Sequence, residues 1–276
     1  MKNDQRNKIR LRAGCVILLL CLLLALTGCS GAAQPEKDGT ADESIYRVLI
    51  ENDRWLELLA GLGRTLIIVI CSVVGGTIVG GTMFLWDYAR GGIVHRALDA
   101  AGWFMLFLPV TTWLLIIYYL LFAGNSVWGM LAAVTAFSVS FGFDVYRNFS
   151  AAVGGIETGQ REAACSMGYN RWQILRRILF PQALPQIMDT LEGDLVFHIN
   201  DSSVVGFIAV QDIQAVADAI SAETPTAALP LILTAAAYVL LSLGGRKLVH
   251  GIHRRLLHTG RTEEEIRARV LKGKIG

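Results

Sequence analysis

Five apolar runs limit what this chain can fold into more than any other feature. They cover residues 66–86, 103–122, 127–143, 187–210 and 228–243, against the roughly 20 residues that a bilayer-spanning helix needs. The third and fifth are short, and the fourth is too polar to face lipid along its whole length. Inside hydrocarbon every backbone N–H and C=O must be bonded within the protein, which leaves helices or a closed barrel. Runs of this length fit helices, so the expected fold class is all-α: a polytopic membrane protein with five spans. Composition agrees, since 53% of residues are apolar and only 17% charged, where a soluble domain carries about 25% charge. A disordered tail, a nucleic-acid binder and a disulfide scaffold are excluded.

The N-terminus reads as a processing signal, residues 1–28. Lys2, Arg6, Lys8, Arg10 and Arg12 precede an apolar stretch that ends in Leu26-Thr27-Gly28-Cys29. A positive start, a short apolar core and small residues at the end make a secretory signal. The ending resembles a bacterial lipobox, in which the cysteine is lipidated and becomes the mature N-terminus, so Cys29 is the lipidation candidate. Residues 29–60 follow as a tether and surface segment. Its first half is small, polar and acidic, and 45–60 has the mixed polarity of a helix lying on the membrane. The remaining cysteines, Cys71 and Cys165 among them, form no plausible bridge or metal pair.

Charge placement sets an expected orientation. Arg90 and Arg96 follow the first run, five arginines follow the third, and nine Lys and Arg fill the tail after the fifth. These sixteen share one side, against four on the other (Lys37, Arg47, Arg54 and Arg64). Positive connections face the cytoplasm. The expected topology therefore puts the mature N-terminus outside and the C-terminus inside, in a bacterial cytoplasmic membrane, with a basic cytoplasmic tail at 249–276. Gly76 and Gly80 form a GxxxG pair that allows close helix approach. Pro109 removes a hydrogen bond from the second span and is expected to kink it.

The connection at 157–183 carries the informative motif. It contains Glu162-Ala163-Ala164, then Gly168, Arg171, Ile178 and Pro181 at fixed distances. This resembles the EAA loop of ATP-binding-cassette importer permeases, a short helix that docks on a cytoplasmic ATPase. Gly168 suits a turn with positive φ, and Arg171, Arg176 and Arg177 can meet acidic or helix C-terminal groups on a partner. The likeness extends over the spans. Gly159-Gln160, Pro181-Gln182-Ala183 and Asp201-Ser202-Ser203 resemble the polar-amino-acid branch. Val205 to Asp212 resembles the sub-branch in which a binding domain is fused to the permease. The thirty or so residues between Cys29 and the first span are too few for such a domain.

The resemblance implies a five-helix transmembrane domain at 61–248 that imports a polar amino acid or similar solute. Its implied partners are a cytoplasmic ATPase dimer, a second permease subunit, identical or not, a separate extracytoplasmic solute-binding protein, and membrane lipid. The chain has no G-x-x-x-x-G-K-[ST] phosphate loop, so it is not read as an enzyme, and no cofactor or metal is implied. The alternatives are an EAA-loop permease for methionine or a quaternary amine, and a non-transporting subunit that regulates an ATPase.

Departures fall along the pathway rather than in the loop. The family's Gly-Thr before the second-span proline is Phe107-Leu108 here, and its fourth-span lysine is Asn200. Its Glu and Arg after the third span fall on Arg147 and Ser150 in one register, or on Asp144 and Arg147 in another. In the fourth run, Asp189, Glu192 and Asp194 are interfacial or inward-facing. His198, Asn200, Asp201, Ser202 and Ser203 are pathway candidates, because ionisable groups facing hydrocarbon cost at least about 2.5–3.5 kcal/mol each at the bilayer centre. His198 is equally readable as a group satisfied by a neighbouring helix. On the outer side Asp212, Asp218 and Glu223 have no cation near them in sequence, and form an expected acidic docking face for the receptor. If Cys29 is lipidated, the wild-type chain takes up radiolabelled palmitate in a bacterial host while Cys29→Ser takes up none and retains residues 1–28. Equal mass shifts and no label in wild type would leave an uncleaved anchor.

Overall fold

The computed structural model describes residues 53–223 and 228–272, so the signal segment, Cys29 and most of the tether lie outside the described residues. Among these residues every regular element is helical. In chain order they are α1 (Arg54–Arg90), α2 (Ile93–Phe107), α3 (Val110–Phe122), α4 (Gly129–Gly154), α5 (Thr158–Ser166), α6 (Arg171–Ile174), α7 (Phe180–Asp201), α8 (Ile213–Glu223) and α9 (Ala228–Lys272). Helices α1, α4 and α9 are each long and apolar enough to cross a membrane alone. Two bent pairs, α2 with α3 and the α6–α7 stretch with α8, bring the number of candidate spans to five. The end of the bundle that carries α5 is called here the loop end, and the opposite one the far end.

Helix α4 is the centre, with α1 packed along it. The two backbones meet because glycines stand at the crossing: a Cβ on Gly80 would lie 2.3 Å from the Gly142 carbonyl oxygen and 2.7 Å from Val145 Cβ. Gly76 is similarly closed off by Phe141 at 2.9 Å. Two apolar cores flank this crossing. Toward the far end, Ile68, Leu114, Ala132, Ala136, Phe137, Val205 and Ile208 pack together. Toward the loop end, Phe84, Tyr146, Val153, Ala164, Leu175, Leu179 and Ile187 do so.

The second span does more than kink. Leu108 is extended (φ −87°, ψ 121°) and α3 restarts from Pro109 at 110° to α2. A proline disfavours α backbone in the residue before it and brings no N–H of its own, so the helix breaks. The fourth run is also reorganised. From Arg171 to Ile208 the chain is one nearly continuous helical stretch, with a π turn at Leu175–Leu179 and a 3₁₀ ending at Ser202–Ile208. Pro181 cannot bond back to the Arg177 carbonyl, and the wider π turn absorbs that loss. The fifth run does not stop near residue 243, since α9 continues to Lys272.

At the far end the expected acidic face is reduced: Asp218 and Glu223 are exposed, but Asp212 is not. Asp212 is fully buried, accepts from the Ala215 N–H at 2.9 Å and from the Tyr238 hydroxyl at 3.3 Å, and so caps α8. Glu223 pairs with Arg54 at 3.1 Å, and Asp218 accepts from Gln214. An acidic side chain four residues into a non-helical stretch is an available cap, and capping outweighs solvation at a buried helix start.

The crossing yields a direct test. Gly80→Val forces a branched side chain into backbone and should cost 1–3 kcal/mol or more, roughly the range for overpacking. A lowered midpoint of thermal unfolding in detergent is the expected result. Gly63→Ala, whose Cβ meets nothing within 4 Å, should leave it unchanged.

Candidate functional site

Two places gather the residues that chemistry needs: the loop at 157–183 and a polar cleft among the spans. In the loop, α5 ends in a Schellman turn. The Tyr169 N–H bonds to the Ala164 carbonyl at 3.2 Å, and the Gly168 N–H to the Cys165 carbonyl at 2.9 Å. Gly168 takes φ 80°, a conformation that costs any residue with a Cβ. Asn170 then opens α6 with a reciprocal capping box, its side chain accepting from the Gln173 N–H while Gln173 accepts from the Asn170 N–H, each at 2.9 Å. Both ends of the turn are thus fixed by local bonds, and α5 is presented as a rigid unit.

Its two faces differ. Ala164 is completely buried against the loop-end core, whereas Glu162, Ala163 and Met167 are exposed. Arg171, expected on the partner side, is exposed and is also tied within the chain. Its guanidinium donates to the Ala89 carbonyl at 3.0 Å and lies 5.0 Å over the Tyr88 ring, while the Tyr88 hydroxyl donates to the Arg171 carbonyl at 2.9 Å. Next to it, Asp87 accepts from the Tyr146 hydroxyl and from His95 Nδ1, both at 2.9 Å. The end of α1 therefore ties the loop to α4 and to the start of α2. Ile178 is half-buried against the same core and Pro181 is exposed.

The cleft lies where the α2–α3 break opens beside α4 and α7. It holds about 230 Å³. Met105, Leu106, Leu108 and Val110 from the break form an apolar wall with Trp113, whose indole N–H is bonded to the Ala136 carbonyl at 2.9 Å. Ser140, Asp144, Arg147 and Asp201 supply the polar side. Arg147 is ion-paired with Asp144 one helical turn away. Asp194 lies within electrostatic reach of both. Two carboxylates thus stand near the Arg147 guanidinium and a third, Asp201, lines the same cleft, all on candidate membrane spans. Among the described residues no three His, Cys, Asp or Glu side chains are arranged to hold a metal.

Of the fourth-run candidates only Asp201 lines the cleft. His198 is buried 2.7 Å from Ser72 Oγ, with the Phe141 and Phe137 rings at 4.7 and 5.7 Å, and joins α7 to α1. Ser202 is buried and bonds back to the Ile199 carbonyl; Asn200 is exposed and Ser203 half-buried. Asp189 and Glu192 face α9, pairing with His253 and Arg246. The composition of the fourth run could not show that Asp144, Arg147 and Ser140 complete the cleft. The available signal was a charge pair spaced i, i+3 at the end of an otherwise uncharged run.

A helical bundle with a charged cleft beside a broken span, and a capped helix at one end, defines a polytopic membrane protein with a polar cleft among its spans. The chain belongs to the family described as binding-protein-dependent transport system inner membrane component, whose profile matches residues 72–258. It is 28% identical over 188 residues to the arginine transport system permease protein ArtQ of Bacillus subtilis (strain 168), covering 67% of this chain and 86% of that one. It is 29% identical over 163 residues to the L-cystine transport system permease protein TcyL of the same organism, covering 56% and 68%. Among solved structures, an amino acid ABC transporter crystallised with histidines matches with a TM-score of 0.66 and 25% identity, over 75% of this chain and 98% of that one. The MetNI methionine transporter shares the fold at 0.65 and 22%, over 74% and 98%.

The charge cluster is testable without a substrate. Arg147→Gln leaves the carboxylates uncompensated and should lower the thermal midpoint in detergent, because breaking such a pair costs more than replacing both members. Asp144→Asn combined with Arg147→Gln should recover most of the loss.

Proposed function

We propose that this chain is the permease subunit of an ATP-driven importer for a polar amino acid, with a net negative cleft that suits a cationic or zwitterionic solute. The observation that carries the reading is the cleft itself. A solute carboxylate would meet the Arg147 guanidinium in the bidentate manner that arginine favours. Its ammonium would meet Asp201 and Asp144, and the α2–α3 wall would cover the side chain. Relatives whose names state arginine and cystine transport support an amino acid as the cargo. Such charges would be too costly against lipid, so a second permease copy, identical or related, would close the open side of the cleft.

The energy source would be a separate ATPase pair in the cytoplasm, docking on the exposed face of α5 at Glu162, Ala163 and Met167. Gly168 shapes this docking helix, and Arg171 acts from within by fixing it to α1. Solute would arrive from an extracytoplasmic binding protein, and the positive loop end would face the cytoplasm. With Asp212 and Glu223 engaged inside the chain, the receptor would read shape and backbone at the far end more than acidity. His198 serves in this reading as a tie between α1 and α7, outside the path.

The test is a complex of permease, ATPase and binding protein in proteoliposomes, assayed for uptake and ATP hydrolysis with arginine, glutamine, cystine and methionine. Asp201→Ala should cut uptake by about tenfold or more, equivalent to ~1.4 kcal/mol, while basal hydrolysis persists. Gly168→Asp should abolish solute-stimulated hydrolysis. Stimulation without uptake for every solute would favour a regulatory subunit, and uptake of methionine alone would reassign the cargo.

A further inference from the structure

A second concavity, of about 440 Å³, opens at the loop end on the outer flank of α1. Its floor and walls are almost wholly apolar: Gly81 and Phe84 from α1, Phe149 from α4, Phe180 at the start of α7, and Trp172 in α6. The rings run in sequence. Phe84 meets Phe149 at 5.7 Å and Phe149 meets Phe180 at 6.2 Å, and Trp172 continues the wall through Tyr88 at 5.7 Å. Gly81 belongs to the last turns of the first apolar run, and a Cβ there would touch nothing within 4 Å. The groove is therefore open at the depth where hydrocarbon gives way to headgroups.

One cation stands on this groove, Arg176. Its neighbours are already engaged: Arg171 with Ala89 and Tyr88, and Arg177 over the Tyr169 ring at 5.8 Å. Arg176 is exposed, and among the described residues no carboxylate lies within ion-pair distance of it. The π turn puts it there, since the extra residue in Leu175–Leu179 shifts the side chains of α6 against those of α7. Such turns often mark functional positions. Trp172 is half-exposed beside it, an amphipathic ring of the kind that sits at headgroup level.

We propose that this groove binds one anionic phospholipid per permease chain, from the leaflet at the loop end. An acyl chain lies along Gly81, Phe84, Phe149 and Phe180, and the phosphodiester meets the Arg176 guanidinium. Charge complementarity selects this occupant. A zwitterionic lipid carries the same phosphodiester, but its own ammonium competes with Arg176 and leaves no net charge to match, and a free phosphate satisfies Arg176 but leaves the rings in contact with solvent. Basic pockets between spans are known to take anionic headgroups in this manner. The groove is separate from the polar cleft, which α2, α3, α4 and α7 enclose. Bound lipid would bridge α1 to α6, and so reinforce the tie that Arg171 makes between α1 and the loop.

The experiment is native mass spectrometry of the detergent-purified full chain, titrated with phosphatidylglycerol and with phosphatidylcholine of the same acyl composition. Wild type should retain one phosphatidylglycerol about tenfold more tightly than phosphatidylcholine, a difference of ~1.4 kcal/mol. Arg176→Gln should bring the two lipids level, Arg176→Lys should keep most of the preference, and Gly81→Leu should weaken both. If Gly81→Leu does not fold, the two Arg176 variants decide. Equal retention of both lipids by wild type, or an undiminished preference in Arg176→Gln, would overturn the proposal. So would a second copy of the chain masking the site in a lipid-free dimer.

Discussion

Everything in this structure hangs on the close approach of α1 to α4. At Gly76, Gly80 and Gly142 the two helices touch backbone to backbone, and no side chain can be inserted without moving one of them. In a membrane, where lipid tails are as apolar as leucine, such contact replaces the hydrophobic drive that assembles soluble bundles. Fixing α1 against α4 places Ser72 opposite His198, which brings in α7, and places Asp87 beside Tyr146 and His95, which brings in α2. The cleft is what remains between elements positioned in this way.

The cleft gathers charge within an otherwise apolar bundle. Asp144 and Arg147 end a run that is otherwise uncharged over many residues and pair with each other, while Asp201 comes from the acid-rich α7. An apolar wall from a broken span faces them. The break at Pro109 supplies that wall. An unbroken second span would have no corner, and Leu108 and Val110 would then lie on a straight helix instead of bounding a cavity.

The spans and the loop motif were legible in the sequence because both depend on local pattern: runs of apolar residues, and small residues at fixed spacing. Gly168 in a left-handed turn followed from its residue type alone. What could not be read depends on distant partners. Arg171 is a surface cation whose ties to Tyr88 and Ala89, over eighty residues away in sequence, show only in the structure. Asp212 looks like a loop acid until Tyr238 closes over it. Asp144 and Arg147 were ambiguous between two registers, and only their placement beside Asp201 gives them a role. The proline break was underestimated because sequence shows the lost hydrogen bond but not whether neighbours hold the two halves in line.

The stretch from Arg171 to Ile208 has a mechanical meaning. Arg171 lies at the root of the loop and Asp201 lines the cleft, and about 45 Å of helix joins them at 1.5 Å per residue. It runs as one helical stretch through the π turn and past Pro185. On the proposed reading it would act as a pushrod, with displacement at the loop delivered to the cleft through a single helical stretch. The two ends would then move together, so opening at one and release at the other would share a single stroke.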